Sequence, residues 1–158
     1  MNGATPTPTG GTTRTARLTF FSVSGPLPPD RPGYIERTVD DVVLQAMRDG
    51  RLLNIVGAPQ SGKTSLMLRC TTVLRNEDNG PLVAFIDLRQ LAERDSTQDV
   101  ARWFYSIAYR IVRQLRASLD LQTWWADNAM LPLHLRLLEL YRELLLLFPG
   151  RAIVMLFD

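Results

Sequence analysis

Lys63 is the only lysine among the 18 Lys and Arg residues of the chain, and it lies in Gly57-Ala58-Pro59-Gln60-Ser61-Gly62-Lys63-Thr64. That segment is a complete match to the phosphate-binding loop pattern G-x-x-x-x-G-K-[ST]. A chain that otherwise uses arginine throughout places here a compact ammonium on a flexible stem instead of a planar guanidinium fork. The chemistry implied is the grip on a polyphosphate. Backbone N–H groups from Gly57 through Ser65, aided by the dipole of the helix that follows, would converge on the β-phosphate. Gly57 and Gly62 permit the tight turn. Lys63 would reach the β- and γ-phosphate oxygens, and the Thr64 hydroxyl would ligand a magnesium ion. A random chain of this length would match the pattern about 1% of the time.

A second candidate lies at Asp158, which follows the apolar run Ala152-Ile153-Val154-Met155-Leu156-Phe157. A buried strand whose tip carries a carboxylate is how a phosphate-loop ATPase completes its metal shell. Asp87, at the end of Leu82-Val83-Ala84-Phe85-Ile86, is the rival. The length of chain from Thr64 suits Asp158 better, with the earlier strand lying between loop and acid. The metal-site residues expected are therefore Thr64 and Asp158.

These groups need elements to hold them. Leu52-Leu53-Asn54-Ile55-Val56 reads as a strand buried on both faces that enters the loop. A helix from Thr64 to Arg75 leaves it, with Leu66, Cys70, Val73 and Leu74 inward, and Asn79-Gly80-Pro81 stops it. Before the loop, a helix is expected from Thr38 to Met47, capped by Thr38, with Asp40 and Asp41 in its first turn and Val39, Val42, Val43 and Met47 inward. After the strand at Leu82–Asp87 comes a polar connection through Asp95-Ser96-Thr97. A long helix follows from Thr97 to Arg116, with Val100, Phe104, Ile107, Ala108, Ile111 and Leu115 at helical spacing. Trp124-Trp125 reads as irregular. Pro132 opens a last helix that runs to Leu147 and turns Leu133, Leu137, Leu140, Tyr141, Leu144 and Phe148 inward.

Composition bounds the partners. The chain has 158 residues, is 46% hydrophobic and carries a net charge of +2. That charge is too small to argue for nucleic acid, and the arginines read as a solvated, salt-bridged surface. Cys70 is alone, which fits a reducing cytoplasm. Met1 to Thr15 contains no apolar export segment and reads as a disordered tail. No apolar run approaches the roughly 20 residues that span a bilayer. His134, the only histidine, has no ligating neighbour at metal spacing and is assigned no role in catalysis. Residues 1–20 are thus a tail, 21–37 an extended lead-in rich in proline, and 38–158 the folded part.

From about Phe21 to Asp158 the chain resembles the bacterial AAA-like domain family, grouped with the STAND signal-transduction ATPases. The resemblance is carried by Leu27-Pro28-Pro29-Asp30, Tyr34-Ile35-Glu36-Arg37, Gln60-Ser61-Gly62-Lys63-Thr64-Ser65-Leu66, Phe85-Ile86-Asp87-Leu88, Trp103-Phe104-Tyr105, Trp124-Trp125 and the strand to Asp158. It implies an α/β fold of the three-layer P-loop NTPase type, a parallel sheet with helices on both faces. It implies ATP or ADP with Mg2+ as cofactors, and a switch that exchanges ADP for ATP within a larger protein bearing sensor or effector domains. Tyr34-Ile35-Glu36-Arg37 resembles the motif that covers base and ribose, with Arg37 matching its arginine. Glu36 and Thr38 depart from the usual glycine and glutamate there, and Pro59 departs from a common arginine.

The same resemblance implies a missing part. In this division of ATPases a later strand inserts between the loop strand and the acid-bearing Walker B strand, and a glutamate directly after the acid activates water. The sequence is therefore expected to be the N-terminal part of the domain, truncated after the Walker B strand, with an open slot in its sheet. Nucleotide binding without rapid hydrolysis is the expectation. Two other classes are weighed beside it. A small-molecule kinase would need an arginine-rich lid, and no such segment is evident; a non-catalytic interaction fragment would keep the loop only as a relic.

Overall fold

A computed structural model of the chain describes residues 34–94 and 100–158. The expected tail, the lead-in up to Gly33 and the Thr97 start of the long helix lie outside the described residues. The elements are α1 (Thr38–Arg48), α2 (Lys63–Arg75), β1 (Leu82–Ile86), α3 (Leu88–Arg94), α4 (Val100–Leu115), α5 (Leu121–Asp127), α6 (Leu133–Leu147) and β2 (Ile153–Phe157). β1 and β2 pair in parallel, with Leu82 opposite Ile153 and Ile86 opposite Phe157. Parallel neighbours need a crossover, and α3 to α6 supply it.

Side-chain alternation along the strands divides the core in two. Ala84 and Ile86, with Leu82, Ile153 and Met155, face a cluster built from α4, α5 and α6, in which Ile111, Leu140 and Leu144 are wholly buried. Val83 and Leu156, with Phe85 and Val154, face α1 and α2 through Val43, Met47, Leu66, Met67, Cys70 and Leu74. Helices therefore lie against both faces of a small parallel sheet.

The two edges of that sheet are unlike. On the outer side of β1, the Gln114 side chain accepts the Phe85 N–H at 3.0 Å and donates to the Phe85 carbonyl at 2.7 Å. Arg75 donates to the Val83 carbonyl at 2.9 Å. These side chains stand in for a neighbouring strand. On the other side, β2 has no strand partner among the described residues. It borders a groove of about 570 Å³ whose opposite wall is Leu52–Ile55.

That groove corrects one expectation. Residues 52–56 form no strand. Only Ile55 packs into the core; Leu52 is 100% exposed and Val56 84%. A strand exists by pairing, and the sheet among the described residues holds only β1 and β2, so this apolar run has no strand partner there.

Other departures have local causes. Thr38 is the first helical residue of α1 and not its cap; Arg37 occupies that position, and Asp40 reaches back to accept its N–H at 3.2 Å. Val39, Val42 and Val100 are exposed, so the inward faces of α1 and α4 are narrower than expected. The polar connection after β1 contains α3. Trp124 and Trp125 are helical, because the Asp120 carboxylate accepts the N–H groups of Gln122 (3.2 Å) and Thr123 (3.3 Å) and starts α5.

Candidate functional site

The loop between Val56 and α2 turns on two left-handed residues, Gln60 with φ 60° and Gly62 with φ 87°. Alternation of this kind aims successive N–H groups into one concavity. Gly62 is the N-cap of α2, which has no side-chain cap and no acidic residue in its first turn. The helix ladder opens only at Leu66, whose N–H donates to the Gly62 carbonyl at 2.9 Å. The positive end of α2 is thus left uncompensated by any carboxylate of its own. Lys63 Nζ donates to the carbonyls of Gly57 (3.0 Å) and Ala58 (2.8 Å), so the loop curls around its ammonium. A Cβ on Gly57 would meet Ser61 Oγ at 3.0 Å, which accounts for glycine at that turn.

Arg37 lies across the loop. Its Nη1 donates to the Ser61 carbonyl at 3.2 Å, and its Nη2 would stand 3.4 Å from a Cβ at Gly62. Asp40, buried at the start of α1, holds it through an ion pair at 3.6 Å and also accepts the Tyr34 hydroxyl at 2.7 Å. Burial, reinforced by Asp40, pushes the Tyr34 phenol above its usual range. The Tyr34 ring carries the Arg69 guanidinium at 5.0 Å, and Arg69 pairs with Glu36.

At the far end of the sheet Asp158 meets α2. Thr64 Oγ1 donates to both carboxylate oxygens, at 2.9 Å to Oδ1 and 3.0 Å to Oδ2. The Asp158 backbone is pinned on both sides: its N–H donates to the Ile86 carbonyl at 3.0 Å and its carbonyl accepts the Leu88 N–H at 2.9 Å. Asp87, the rival acid, is engaged elsewhere. It accepts the Arg89 N–H at 3.0 Å, Arg89 Nε at 3.3 Å and Gln90 Nε2 at 3.2 Å. Burial opposes ionisation of Asp87, but the hydrogen bonds from Arg89 outweigh it and hold the carboxyl below the usual range.

The structure therefore brings together Gly57 through Ser65, Arg37 and Asp158, and leaves Asp87 outside. His134 is exposed. Among the described residues no group of three His, Cys, Asp or Glu side chains could hold a metal. Thr64 and Asp158 are two oxygen donors beside a cradle of N–H groups, a set that fits a hard cation able to keep several waters and take phosphate oxygens as well, as magnesium does. Sequence reasoning missed Arg89, whose Nη2 reaches Asp158 Oδ2 at 2.5 Å. Its only signal is its place two residues beyond Asp87, where it can turn back toward the strand ends.

Two comparisons with known proteins give matches. A family model described as an AAA-like domain matches residues 22–158. An uncharacterized WD repeat-containing protein of Synechocystis sp. is 26% identical over 143 residues. The alignment covers 89% of this chain, which spans only 12% of that relative's length. No solved structure matches the chain. No helix among the described residues is long and apolar enough to cross a membrane.

Proposed function

Because the chain belongs to the AAA-like domain family, we propose that it is the phosphate-gripping part of a three-layer P-loop domain that binds ATP or ADP with magnesium and acts as a switch in a larger protein. The observation that carries this reading is the contact between Thr64 and Asp158, which joins the end of the phosphate loop to the tip of β2. A loop of this pattern in a chance setting has no reason to find a carboxylate so far along the chain.

The roles follow from position. The N–H groups of Gly57 to Ser65 and the start of α2 bind and orient the phosphates. Lys63 exchanges the loop carbonyls it now holds for phosphate oxygens, which it prefers by charge. Thr64 and Asp158 would hold magnesium, which supplies charge neutralisation at the β- and γ-phosphates when bound. Arg37, anchored by Asp40, stands over the loop where base and ribose would lie. The groove between Leu52–Ile55 and β2 is the place a further parallel strand would take. A relative that carries WD repeats supports a larger setting in which this unit relays nucleotide state to a sensor, in the manner of STAND signalling proteins.

The test is a titration of the 158-residue chain with fluorescent ADP. Lys63→Ala should lose about 2 kcal/mol of binding, roughly thirtyfold in affinity, through the loss of charge-assisted hydrogen bonds. Equal affinity in the two proteins would sink the reading and leave a relic loop.

A further inference from the structure

Arg89 is placed where it interferes with the proposed metal site. The guanidinium spans two carboxylates: Nε lies 3.3 Å from Asp87 Oδ1, and Nη2 lies 2.5 Å from Asp158 Oδ2. The two acids are largely buried, with side chains 18% and 13% exposed, while the arginine side chain is 64% exposed. The guanidinium thus lies toward solvent, and the carboxylates that it neutralises lie inward of it. Asp87 also accepts the backbone N–H of Arg89 and the Gln90 amide. It is thereby fixed at the start of α3 as an anchor that keeps Arg89 within reach of Asp158. Arg89 Nη2 thereby shares the Asp158 carboxylate with the Thr64 hydroxyl, while Arg89 Nε stays on Asp87.

We propose that Arg89 is an internal counter-cation, a positioning residue that occupies Asp158 when no divalent ion is present and sets the magnesium concentration at which the site loads. This deepens the reading of Thr64 and Asp158 as metal-holding residues and rests on it. A positive guanidinium on Asp158 Oδ2 excludes a divalent cation from the same oxygen by charge and by volume. Loading the site requires Arg89 to release Asp158 while its Nε and backbone N–H stay on Asp87. The arrangement does two things. It spares the empty site the repulsion between neighbouring buried carboxylates, and it makes magnesium entry a competition instead of a simple filling.

The experiment measures affinity for fluorescent ADP across a magnesium series and reads the magnesium concentration that gives half of the maximal gain. In Arg89→Gln that concentration should fall roughly fivefold, the scale of a part-exposed ion pair, while affinity in the absence of magnesium falls, because the Asp158 charge is then uncompensated beside the phosphates. Arg89→Lys should lie between, since it keeps the charge but loses the fork that spans both acids. An unchanged or raised half-point in Arg89→Gln overturns the proposal. Lys63→Ala, measured in parallel, separates the two levels. If Lys63→Ala binds weakly and Arg89→Gln behaves like the parent, only the role of Arg89 fails. If Lys63→Ala binds like the parent, the site reading fails and the proposal with it.

Discussion

The Thr64 hydroxyl and the Asp158 carboxylate are 94 residues apart in sequence and 2.9 Å apart in space. The contact ties the first turn of α2 to the tip of β2 beside the groove that parts Leu52–Ile55 from that strand. Among the described residues, this contact links the end of the phosphate loop directly to the sheet.

Asp158→Asn should therefore uncouple nucleotide affinity from magnesium. The amide still accepts the Thr64 hydroxyl but no longer offers a charged ligand, so the magnesium-dependent gain in ADP affinity should drop about tenfold. Replacing a hydrogen bond to a charged group by a neutral one costs about 1 kcal/mol of stability. Isothermal titration with and without magnesium checks the first effect, and urea unfolding checks the second.

Two glycine substitutions should part binding from folding. In Gly62→Ala the new residue is forced into the left-handed region at φ 87°, with its Cβ 3.4 Å from Arg37, and should lose roughly 1–2 kcal/mol of stability together with ADP affinity. In Gly80→Ala the Cβ would meet the Leu74 carbonyl oxygen at 2.7 Å, a backbone atom that cannot swing away. That variant should show the larger fall in melting temperature, with ADP affinity in the folded fraction unchanged.

Arg136→Ala should be among the most destabilising changes in α6. The side chain is buried, donates to the carbonyls of Ala129 (2.7 Å) and Leu131 (3.1 Å), and stacks over Trp125 at 5.0 Å. Losing these contacts leaves two carbonyls in the α5–α6 turn without their donor, at roughly 3 kcal/mol by denaturant unfolding. Arg136→Lys should not restore it, because an ammonium cannot reproduce the planar stack.

Cys70 should be unreactive until the chain opens. Burial pushes its thiol up to about 11, from 9.0, with Asp40 adding to the effect. Because the folded state holds this proton more tightly than the unfolded state, its contribution is complete below about pH 9. It is lost as pH rises toward 11, roughly 2–3 kcal/mol over that window. Cys70→Ser should flatten the alkaline limb of the stability profile. Thiol labelling of the parent at pH 8 should track global unfolding.

Much of the site was legible because its signals are local. The loop at 57–64 carries its meaning in spacing alone, and helical periodicity placed α2 within one residue of Lys63. The strand tips at Ile86 and Phe157 were marked by the acids that follow them. What escaped depends on residues far away in sequence. Leu52–Val56 has the composition of a strand, yet a strand also needs a neighbour. Arg136 resembles a solvent-facing charge on a leucine-rich helix, and only the carbonyls of the preceding turn bury it. The short α5 fell below the window in which periodicity is visible, although Asp120 held the cap that starts it. Arg89 finds Asp158 at a separation of 69 residues, which no local pattern encodes.

The side chains of Gln114 and Arg75 on β1 give the sheet a direction of growth. With Phe85 satisfied in both its N–H and its carbonyl, and Val83 in its carbonyl, the outer margin has little left to offer an incoming backbone. Among the described residues the margin along β2 has no such cover. Recruitment of another strand would thus be one-sided, in the groove that Lys63 and Asp158 help to line. Self-association, where it occurs, should compete with nucleotide for the same ground. A dimerisation constant that weakens as ADP rises would be its mark.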